Sequence, residues 1–516
     1  MDISEKILIL DFGGQYNQLI ARRVREAGVY CAVRSFKMSL REIREFNPIG
    51  IILTGGPKSV YEKDAPKPDF GIFSLGVPIL GICYGCQVMA QYLGGTVSPA
   101  GADAARQYGK TETVFDVNCR LFKGIPQKSV TWMSHGDYIS NLPKDVSLTA
   151  KSAACPNAAI SDENMRFYGV QFHPEVNHTE YGAEILKNFL FEICGARGTW
   201  TMDSFCDKTV SSLRREIGGG RVLLALSGGV DSSVLAALLG RAIGDRLTCV
   251  FVDHGLMRLN EGDEIEKVFG GGSVNFVRVN AADRFLSELK GVTDPQEKRK
   301  IIGAQFGYVF RDEADKFGIT DNDFLAQGTI YPDVIESGEG DAAVIKSHHN
   351  RLLPPEVTAR FRGVIEPLSL LFKDEVRALG RELGLPDALI NRQPFPGPGL
   401  AIRIIGDVTA EKADMLRRAD YIMRDEISKC DTAEPSQYFA VLTDMRSVGV
   451  MGDGRTYDRV LALRAVTTDD FMTAQFSRIP YDCLDKISTR IINEVGGIGR
   501  VVYDITSKPP ATVEWQ

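Results

Sequence analysis

The sequence predicts an α/β protein with two open, mostly parallel-sheet domains, followed by a smaller α+β domain at the C-terminus. Short aliphatic runs, typical of strands buried on both faces, alternate with segments of helical spacing. These runs end in polar or glycine-containing turns, which is where an open parallel sheet carries its functional groups. A length of 516 residues accommodates roughly three domains of about 150 residues each.

The bulk composition is that of an ordinary soluble protein, with 44% apolar and 25% charged residues. A net charge of −7 argues against a chain-wide nucleic-acid-binding surface. Because the N-terminus is polar and no run of about 18 apolar residues occurs, we expect neither a signal peptide nor a membrane partner. Ten cysteines are too sparse for a disulfide framework, which favours a reducing cytoplasm.

The first domain begins with a strand at residues 7–11, which a Gly-Gly turn closes. A helix is predicted at residues 18–26, ending at Gly28. A second buried strand at 51–53 ends in Thr-Gly-Gly-Pro, and a third at 77–82 runs directly into Cys-Tyr-Gly-Cys-Gln. This alternation predicts a parallel sheet whose loops carry the functional groups.

Cys83 is the candidate nucleophile of this domain. It has Gly81 and Gly85 on its two sides, as in a strand-to-helix elbow that projects a nucleophile above a sheet. The N-terminus of the following helix would lower the pKa of its thiol. Cys86 completes a Cys-x-x-Cys pair, but no second ligand pair with zinc spacing accompanies it. A thioredoxin-like redox pair is the other alternative.

A nucleophilic cysteine needs a base, and the predicted strand at 167–172 ends in His-Pro-Glu. Together with Gly-Ile-Cys-Tyr-Gly-Cys-Gln, this motif resembles the catalytic triad of class I glutamine amidotransferases. The resemblance implies that Cys83 is the nucleophile, that His173 is the general base and then acid, and that Glu175 orients the imidazole.

The same resemblance implies further residues around bound glutamine. Gly55, Gly56 and the backbone N–H of Tyr84 would form the oxyanion hole, and Gln87 would contact glutamine. Residues 132–137 match a family segment near the glutamine site, in which we expect His135 to be structural.

The second domain is organised around a Ser-Gly-Gly-Val-Asp-Ser-Ser segment, which begins at the end of an apolar run, 222–226, and precedes a helical run, 234–239. A strand that turns into a helix in this way leaves backbone N–H groups pointing out of the turn. The helix N-terminus adds a partial positive charge, so the turn is suited to an anion. The alternative, a simple helix cap, is disfavoured by the complete motif in this context.

This segment resembles the pyrophosphate loop of the ATP pyrophosphatase family, whose members cleave ATP between the α and β phosphates. The chain lacks the Gly-x-x-x-x-Gly-Lys-Ser/Thr motif of enzymes that transfer the γ-phosphate. The resemblance implies that a substrate oxygen is adenylylated with Mg²⁺ as cofactor, held by Asp231. The implied ATP contacts in the loop are Ser227, Gly228, Gly229, Val230, Asp231, Ser232 and Ser233.

Four more residues are candidate ATP contacts. Asp253 stands at the end of the next strand, and in adenine-nucleotide α hydrolases this strand end commonly lies against the adenosine. The alternative is that Asp253 only forms a turn. Gly328 and Thr329 follow a further strand and are candidate adenylate contacts. Lys346, in a polar stretch at 345–350 that we expect to form a lid, is a candidate for binding the leaving pyrophosphate. A helix that starts at 294–295 carries a basic run, Lys298, Arg299 and Lys300, which forms either a functional or a solvated basic face.

The third domain starts at a proline- and glycine-rich segment, 392–400, through which neither helix nor strand continues. Residues 444–455 and 507–515 are its most distinctive segments. An RNA-binding Gly-x-x-Gly loop at 449–452 is disfavoured, because it lacks basic surroundings. Instead these segments, with 327–337 and 345–350, resemble the glutamine-hydrolysing GMP synthetase family over essentially the whole chain.

This resemblance implies domains at residues 1–197, 198–391 and 392–516, and the substrates ATP, XMP and glutamine. ATP would adenylylate XMP, and ammonia from the Cys83 site would displace AMP to give GMP. The third domain would supply the contacts of a homodimer and part of the XMP site. The implied XMP contacts are Gly397, Pro398, Lys508, Val513 and Glu514. The alternatives are another glutamine-fed adenylating synthetase, for NAD or asparagine, and a nucleotide-sensing scaffold.

Overall fold

The computed structural model describes residues 3–99, 107–153, 155–336, 358–431, 434–468 and 473–516. The described residues form two compact units. One comprises the described residues up to 208 together with 334–336, and the other is built from residues 209–333 and the described residues beyond 357. Among the described residues, no helix is both long and apolar enough to cross a membrane.

The first unit is built on a nine-stranded sheet in the order β2-β1-β3-β4-β11-β10-β9-β6-β7. The neighbours from β2 to β11 pair in parallel, and those from β11 to β7 pair antiparallel. The strands of this unit, of which β5 and β8 form a separate pair, are β1 (Lys6–Asp11), β2 (Tyr30–Ser35), β3 (Gly50–Leu53), β4 (Ile79–Ile82), β5 (Thr96–Pro99), β6 (Gln107–Phe115), β7 (Lys128–His135), β8 (Asp137–Asn141), β9 (Ser147–Ser152), β10 (Ala159–Asp162) and β11 (Phe167–Val170).

Helices cover the parallel half of this sheet and bury its aliphatic side chains. They are α1 (Asn17–Glu26), α2 (Leu40–Phe46), α3 (Tyr84–Tyr92) and α4 (Gly182–Lys187), with a π-helical turn at Asn188–Ile193 and 3₁₀ turns at Phe70–Ser74 and Arg120–Phe122. The predicted helix at 18–26 is confirmed, and Gly28 follows its end with φ +74°. Residues 84–90 of α3 are all buried, so this helix lies within the core directly after Cys83.

The second unit begins with a five-stranded sheet in the order β14-β13-β12-β15-β16, in which all neighbours are parallel. Its strands are β12 (Val222–Leu226), β13 (Leu247–Asp253), β14 (Asn275–Asn280), β15 (Phe324–Ala326) and β16 (Gly363–Ile365). The strand order reverses at β12, because β13 lies on one side of it and β15 on the other. The carboxyl end of such a strand is where open α/β sheets bind ligands.

The helices around this sheet are α5 (Met202–Ile217), α6 (Val230–Ile243), α7 (Glu261–Phe269), α8 (Ala282–Glu288), α9 (Pro295–Lys316), α10 (Tyr331–Glu336), α11 (Lys373–Glu382) and α12 (Asp387–Ile390). Helix α9 starts where the sequence predicts it. The Asp294 side chain accepts a hydrogen bond from the N–H of Glu297 at 2.8 Å, and Pro295 occupies the first turn.

The C-terminal part of the second unit is α+β. Two helices, α13 (Ala410–Ile427) and α14 (Tyr481–Glu494), accompany a small sheet of β17 (Gln437–Met451), β18 (Gly454–Thr467), β19 (Gln475–Phe476) and β20 (Ile498–Asp504). A disulfide joins Cys430 to Cys483, and the other eight cysteines are thiols. One hydrophobic core runs from Leu223 of β12 to Ile498 of β20, so both sheets of the unit share it. The predicted fold class is confirmed, and the domain boundaries stay predictions.

Candidate active sites

Strand β4 delivers Cys83 to a tight elbow at the start of α3. The backbone of Cys83 has φ +51° and ψ −106°, a strained conformation for a residue with a side chain. Its two glycine neighbours are required sterically. A Cβ on Gly81 would lie 2.6 Å from the N of Cys86, and one on Gly85 would collide with the carbonyl of Leu53. The crowding on both sides holds the strained residue in place and leaves its thiol at the edge of the sheet.

His173 and Glu175 follow β11, the parallel neighbour of β4. The Glu175 Oε1 lies 2.7 Å from His173 Nδ1, and the His173 ring and the Cys83 side chain both lie within 4 Å of the Cβ position of Gly55. Burial lowers the pKa of His173, but the Glu175 carboxylate and the Cys83 thiol outweigh it and raise that pKa well above its usual value. The structure therefore brings together the three residues of the predicted triad, with the carboxylate oriented to stabilise an imidazolium.

A cavity of about 430 Å³ opens beside Cys83, and all four residues predicted around glutamine line it. A Cβ on Gly55 would lie 3.5 Å from the His173 ring, and one on Gly56 would lie 3.2 Å from the Tyr84 ring. The amide of Gln87 donates hydrogen bonds to the carbonyl of Asp137 at 3.1 Å and to Gln171 Oε1 at 3.4 Å.

Two cavity residues from the segment at 132–137 have properties that sequence reasoning missed. The carboxylate of Asp137 accepts a hydrogen bond from the Tyr61 hydroxyl at 3.0 Å, which fixes an anionic group in the cavity wall. Burial lowers the pKa of His135 to about 4, so its ring is neutral near pH 7. Among the described residues, none is hydrogen-bonded to His135 Nε2. The alternation along β7 could have placed His135 on an inward face, but no local pattern marks Asp137 as a ligand.

The predicted pyrophosphate loop connects β12 to α6. Gly228 has φ +79°, and a Cβ there would lie 3.4 Å from the Phe251 ring. The Ser227 hydroxyl accepts a hydrogen bond from the N–H of Gly229 at 3.3 Å and lies 3.0 Å from the Ser232 hydroxyl. The loop is thus held by its own side chains, with the N-terminus of the 14-residue helix α6 directly behind it.

Asp231, in the first turn of α6, faces a cation that sequence reasoning missed. Both of its carboxylate oxygens lie 2.7 Å from Nζ of Lys373, the first residue of α11. The two residues are 142 positions apart, so no local pattern could have paired them. No group of three or more metal-ligating side chains occurs in the part of the chain that the structure describes. One carboxylate fits a magnesium ion whose other ligands are substrate phosphates and water, which is the usual arrangement for Mg²⁺.

The remaining ATP candidates differ in where they lie. A Cβ on Gly328 would lie 3.5 Å from the N of Ser232, so this backbone is next to the loop. Thr329 follows directly and donates its hydroxyl to Glu366. Asp253 accepts hydrogen bonds from Arg278 at 2.8 Å and from the N–H of Gly255 at 3.2 Å, as expected of a turn former. Lys346 and the expected lid at 345–350 lie outside the described residues.

The XMP candidates lie in the C-terminal part of the second unit. Glu514 forms an ion pair with the fully buried Arg403 at 2.8 Å and accepts a hydrogen bond from Gln437 at 3.1 Å. Val513 packs on the small apolar cluster around Phe439. For the other three XMP candidates the structure gives backbone positions. Lys508 pairs with Ala474 through the main chain, and Pro398 is the N-cap of the 3₁₀ turn Gly399–Arg403. Apart from its two chain neighbours, none of the described residues has an atom within 4 Å of the Cβ position of Gly397.

Lys298 does not belong to a solvated face. It is fully buried, and its ammonium donates hydrogen bonds to the carbonyls of Ala401 at 3.2 Å and Ile404 at 2.6 Å, and to Gln516 Oε1 at 3.1 Å. The solvated alternative is therefore wrong for Lys298, although it fits the exposed Lys300.

Comparisons with known proteins show which families this chain is similar to. The model of the family "Glutamine amidotransferase class-I" matches residues 8–193, so the first unit defines a glutamine amidotransferase of that class. The model "GMP synthase C terminal domain" matches residues 425–515. Three curated relatives carry the name GMP synthase (glutamine-hydrolysing). The one from Treponema denticola is 60% identical over 100% of this chain and 98% of its own length.

The relative from Ruminiclostridium cellulolyticum is 59% identical over 99% of this chain and 100% of its own length. The one from Finegoldia magna is 58% identical over 99% of each chain. The chain belongs to the glutamine-hydrolysing GMP synthase family.

Proposed function

We propose that this chain converts XMP, ATP, glutamine and water into GMP, AMP, pyrophosphate and glutamate. The observation that carries the proposal is the presence of two separate candidate sites in one chain. The triad of Cys83, His173 and Glu175 is assembled in the first unit, and a preorganised phosphate loop is assembled in the second. Relatives that match 99–100% of this chain are named GMP synthases.

The first half-reaction releases ammonia from glutamine. His173 takes the proton of Cys83 as the sulfur attacks the carboxamide carbon, and it returns that proton to the departing ammonia. Glu175 stabilises the imidazolium that forms in between. Backbone N–H groups around Gly55, Gly56 and Tyr84 stabilise the oxyanion. Water then hydrolyses the thioester with His173 as the base, and glutamate leaves.

The second half-reaction activates XMP. The C2 oxygen of XMP attacks the α-phosphorus of ATP, and pyrophosphate leaves against the N–H groups of residues 227–233 and the N-terminus of α6. A Mg²⁺ ion bound with ATP near Asp231 would neutralise phosphate charge. Lys373 is positioned to do the same once its ion pair with Asp231 opens. Ammonia then attacks C2 of the adenylylated XMP, and AMP leaves.

The C-terminal segment supplies the proposed XMP contacts. Lys508 suits the 5′-phosphate, and Glu514 suits donors on the purine or the ribose. Glu514 is held by Arg403 and Gln437, so its carboxylate is fixed before the substrate arrives. Gly397, Pro398 and Val513 would complete the site through backbone and apolar contacts.

We also propose that the enzyme is a cytoplasmic homodimer that associates through the β17–β18 hairpin. Several large apolar side chains on this hairpin are exposed in the single chain, among them Met445, Val448, Val450 and Tyr457. A cluster of exposed apolar residues commonly marks a protein–protein interface. Eight of the ten cysteines are thiols, which supports a reducing compartment, whereas the Cys430–Cys483 disulfide argues against one.

One incubation tests the proposed reaction. With ATP, Mg²⁺, glutamine and XMP, we expect GMP and AMP to form in equal amounts, as measured by anion-exchange chromatography. Replacing XMP with deamido-NAD or with aspartate should give no AMP. Formation of AMP with either substitute, or its absence with XMP, would contradict the proposal and favour another adenylating synthetase or a scaffold.

A further inference from the structure

The second unit contains a cavity of about 770 Å³ between α6, α7 and residues 383–392. It lies on the C-terminal half of α6, whereas the pyrophosphate loop lies at the N-terminus of that helix. Ala237, in the cavity wall, is six residues beyond Asp231, which corresponds to about 9 Å along the helix axis. The volume falls within the range of small-molecule sites, roughly 300–1,000 Å³. The two half-reactions proposed above make no use of this space.

The chemistry of the cavity wall defines what it would accept. Its apolar surface is formed by Ala236, Val268, Phe269, Val274, Leu385 and Leu389. The charged residues that line it are three cations, Arg241, Lys267 and Arg392, and one carboxylate, Glu264. Glu264 forms an ion pair with Arg392 at 2.5 Å, and Lys267, also on α7, adds a positive charge to the wall. An apolar ring that carries a single anionic group is complementary to this surface.

Arg392 connects the cavity with the pyrophosphate loop. Its Nη1 donates hydrogen bonds to the carbonyl of Gly228 at 3.2 Å and to Glu261 Oε1 at 2.8 Å. Its Nη2 binds Glu264. Glu261 is only 4% exposed, and it also accepts a hydrogen bond from the N–H of Arg258 at 3.0 Å. The Glu261 carboxylate that contacts Arg392 Nη1 is therefore held in place. Glu264 is 60% exposed, and exposed ion pairs are weak, so a ligand anion can replace it.

We propose that this cavity binds a small aromatic monoanion, and that the ligand weakens ATP binding through Arg392. The ligand anion takes the place of Glu264 on Nη2 and draws the guanidinium towards the cavity. The hydrogen bond from Nη1 to the Gly228 carbonyl then lengthens, and the left-handed backbone at Gly228 loses its support. The effect on ATP rests on the proposed function of the loop, whereas the binding site itself does not.

The binding site is tested with 1-anilinonaphthalene-8-sulfonate (ANS), an aromatic monoanion that fluoresces in apolar surroundings. We expect one ANS per chain, bound about tenfold (about 1.4 kcal/mol) more tightly than its neutral analogue N-phenyl-1-naphthylamine, because the analogue lacks the sulfonate that would contact the cations of the wall. Ala237→Trp fills the cavity and should abolish this binding. Lys267→Glu should weaken it about tenfold, and the matched exposed reversal Lys290→Glu should not. Equal affinity for both probes, or ANS binding unaffected by Ala237→Trp and Lys267→Glu, would overturn the site.

The coupling is tested by calorimetric titration of ATP with and without saturating ANS. We expect the Kd for ATP to rise about fivefold, the lower end of typical coupling between two sites. In Ala237→Trp and in Arg392→Lys, ANS should leave the Kd for ATP unchanged. An unchanged Kd in the native chain with ANS bound would contradict the coupling. Neither the ANS titration nor the ATP titration requires turnover. Both results can therefore be interpreted even if the chain does not catalyse the proposed reaction.

Discussion

Cys83 and the pyrophosphate loop occupy the same kind of position in two different sheets. In each case a buried parallel strand ends in a tight turn, and a helix begins at once: β4 leads to α3, and β12 leads to α6. Each turn also contains a residue with positive φ, Cys83 at +51° and Gly228 at +79°. The difference between the two sites lies in which residue type occupies that conformation.

At the first site the residue with positive φ has a side chain, so the strained backbone directs a single thiol towards its base. At the second site it is glycine, so the backbone N–H groups are left accessible to an anion. One turn is therefore suited to covalent chemistry by a side chain, and the other is suited to binding phosphate by the main chain. The same strand–turn–helix unit can therefore support two chemistries, depending on which residue type has the positive φ.

The largest expected effect concerns the thiol. Cys83→Ser should lower glutamine hydrolysis by about 10⁴-fold or more, as expected for loss of a catalytic nucleophile. The matched variant Cys86→Ser should keep most of the activity, because Cys86 is fully buried and burial raises the pKa of its thiol well above the usual value. Glutamate release measures both. If Cys86→Ser were as inactive as Cys83→Ser, the assignment of the nucleophile would be wrong.

The next effect concerns charge at the loop. Asp231→Asn should lower AMP formation by about 100-fold or more, because it removes the carboxylate that pairs with Lys373 and that we propose for Mg²⁺. Glutamine hydrolysis without nucleotides should be unchanged. Asp245→Asn, at the other end of α6, is the matched control and should retain full activity. Turnover of Asp231→Asn at the native rate would remove Asp231 from the proposed mechanism.

A smaller effect is expected in the C-terminal segment. Lys508→Ala should raise the KM for XMP about tenfold, or about 1.4 kcal/mol, because one contact to the 5′-phosphate is lost. The KM for ATP should change little. Steady-state kinetics with each substrate varied in turn would separate the two constants. A KM for XMP that stays at the native value would mean that Lys508 only packs the C-terminal segment.

The smallest effects test the backbone comparison directly. Cys83→Gly relieves positive-φ strain, so we expect it to be about 1 kcal/mol more stable than Cys83→Ala. Gly228→Ala introduces the same kind of strain and should destabilise the second unit by about 1–2 kcal/mol. Urea denaturation would measure both differences. Equal stability of the two Cys83 variants would show that the elbow carries no strain.

Local patterns in the sequence were sufficient for both turns. The strand-turn-helix signature and the motif residues predicted Cys83, His173 and the loop at 227–233, and each lies where the pattern places it. Other features depend on contacts between distant residues. Lys373 reaches Asp231 across 142 positions and Arg392 reaches Gly228 across 164, and no periodicity encodes such pairs.

Burial of a charged residue was similarly hard to predict. Lys298 belongs to a basic run that suggests solvent exposure, and it is buried because two main-chain carbonyls and Gln516 satisfy its ammonium. The antiparallel half of the first sheet was missed for another reason. The strands β6 to β10 were not predicted from the sequence, and the order in which they pair is set by long-range contacts.

The central claim is that the two turns perform separate half-reactions, and exchange of the nitrogen donor in Cys83→Ala tests it most directly. No thioester can form in this variant, so GMP synthesis from glutamine should fall to background. The loop lies in the other compact unit, so ammonium at alkaline pH, where more of it is neutral ammonia, should restore GMP formation to near the native rate with ammonia. Loss of GMP formation with both donors, in a variant shown to be folded, would contradict the separation of the two sites.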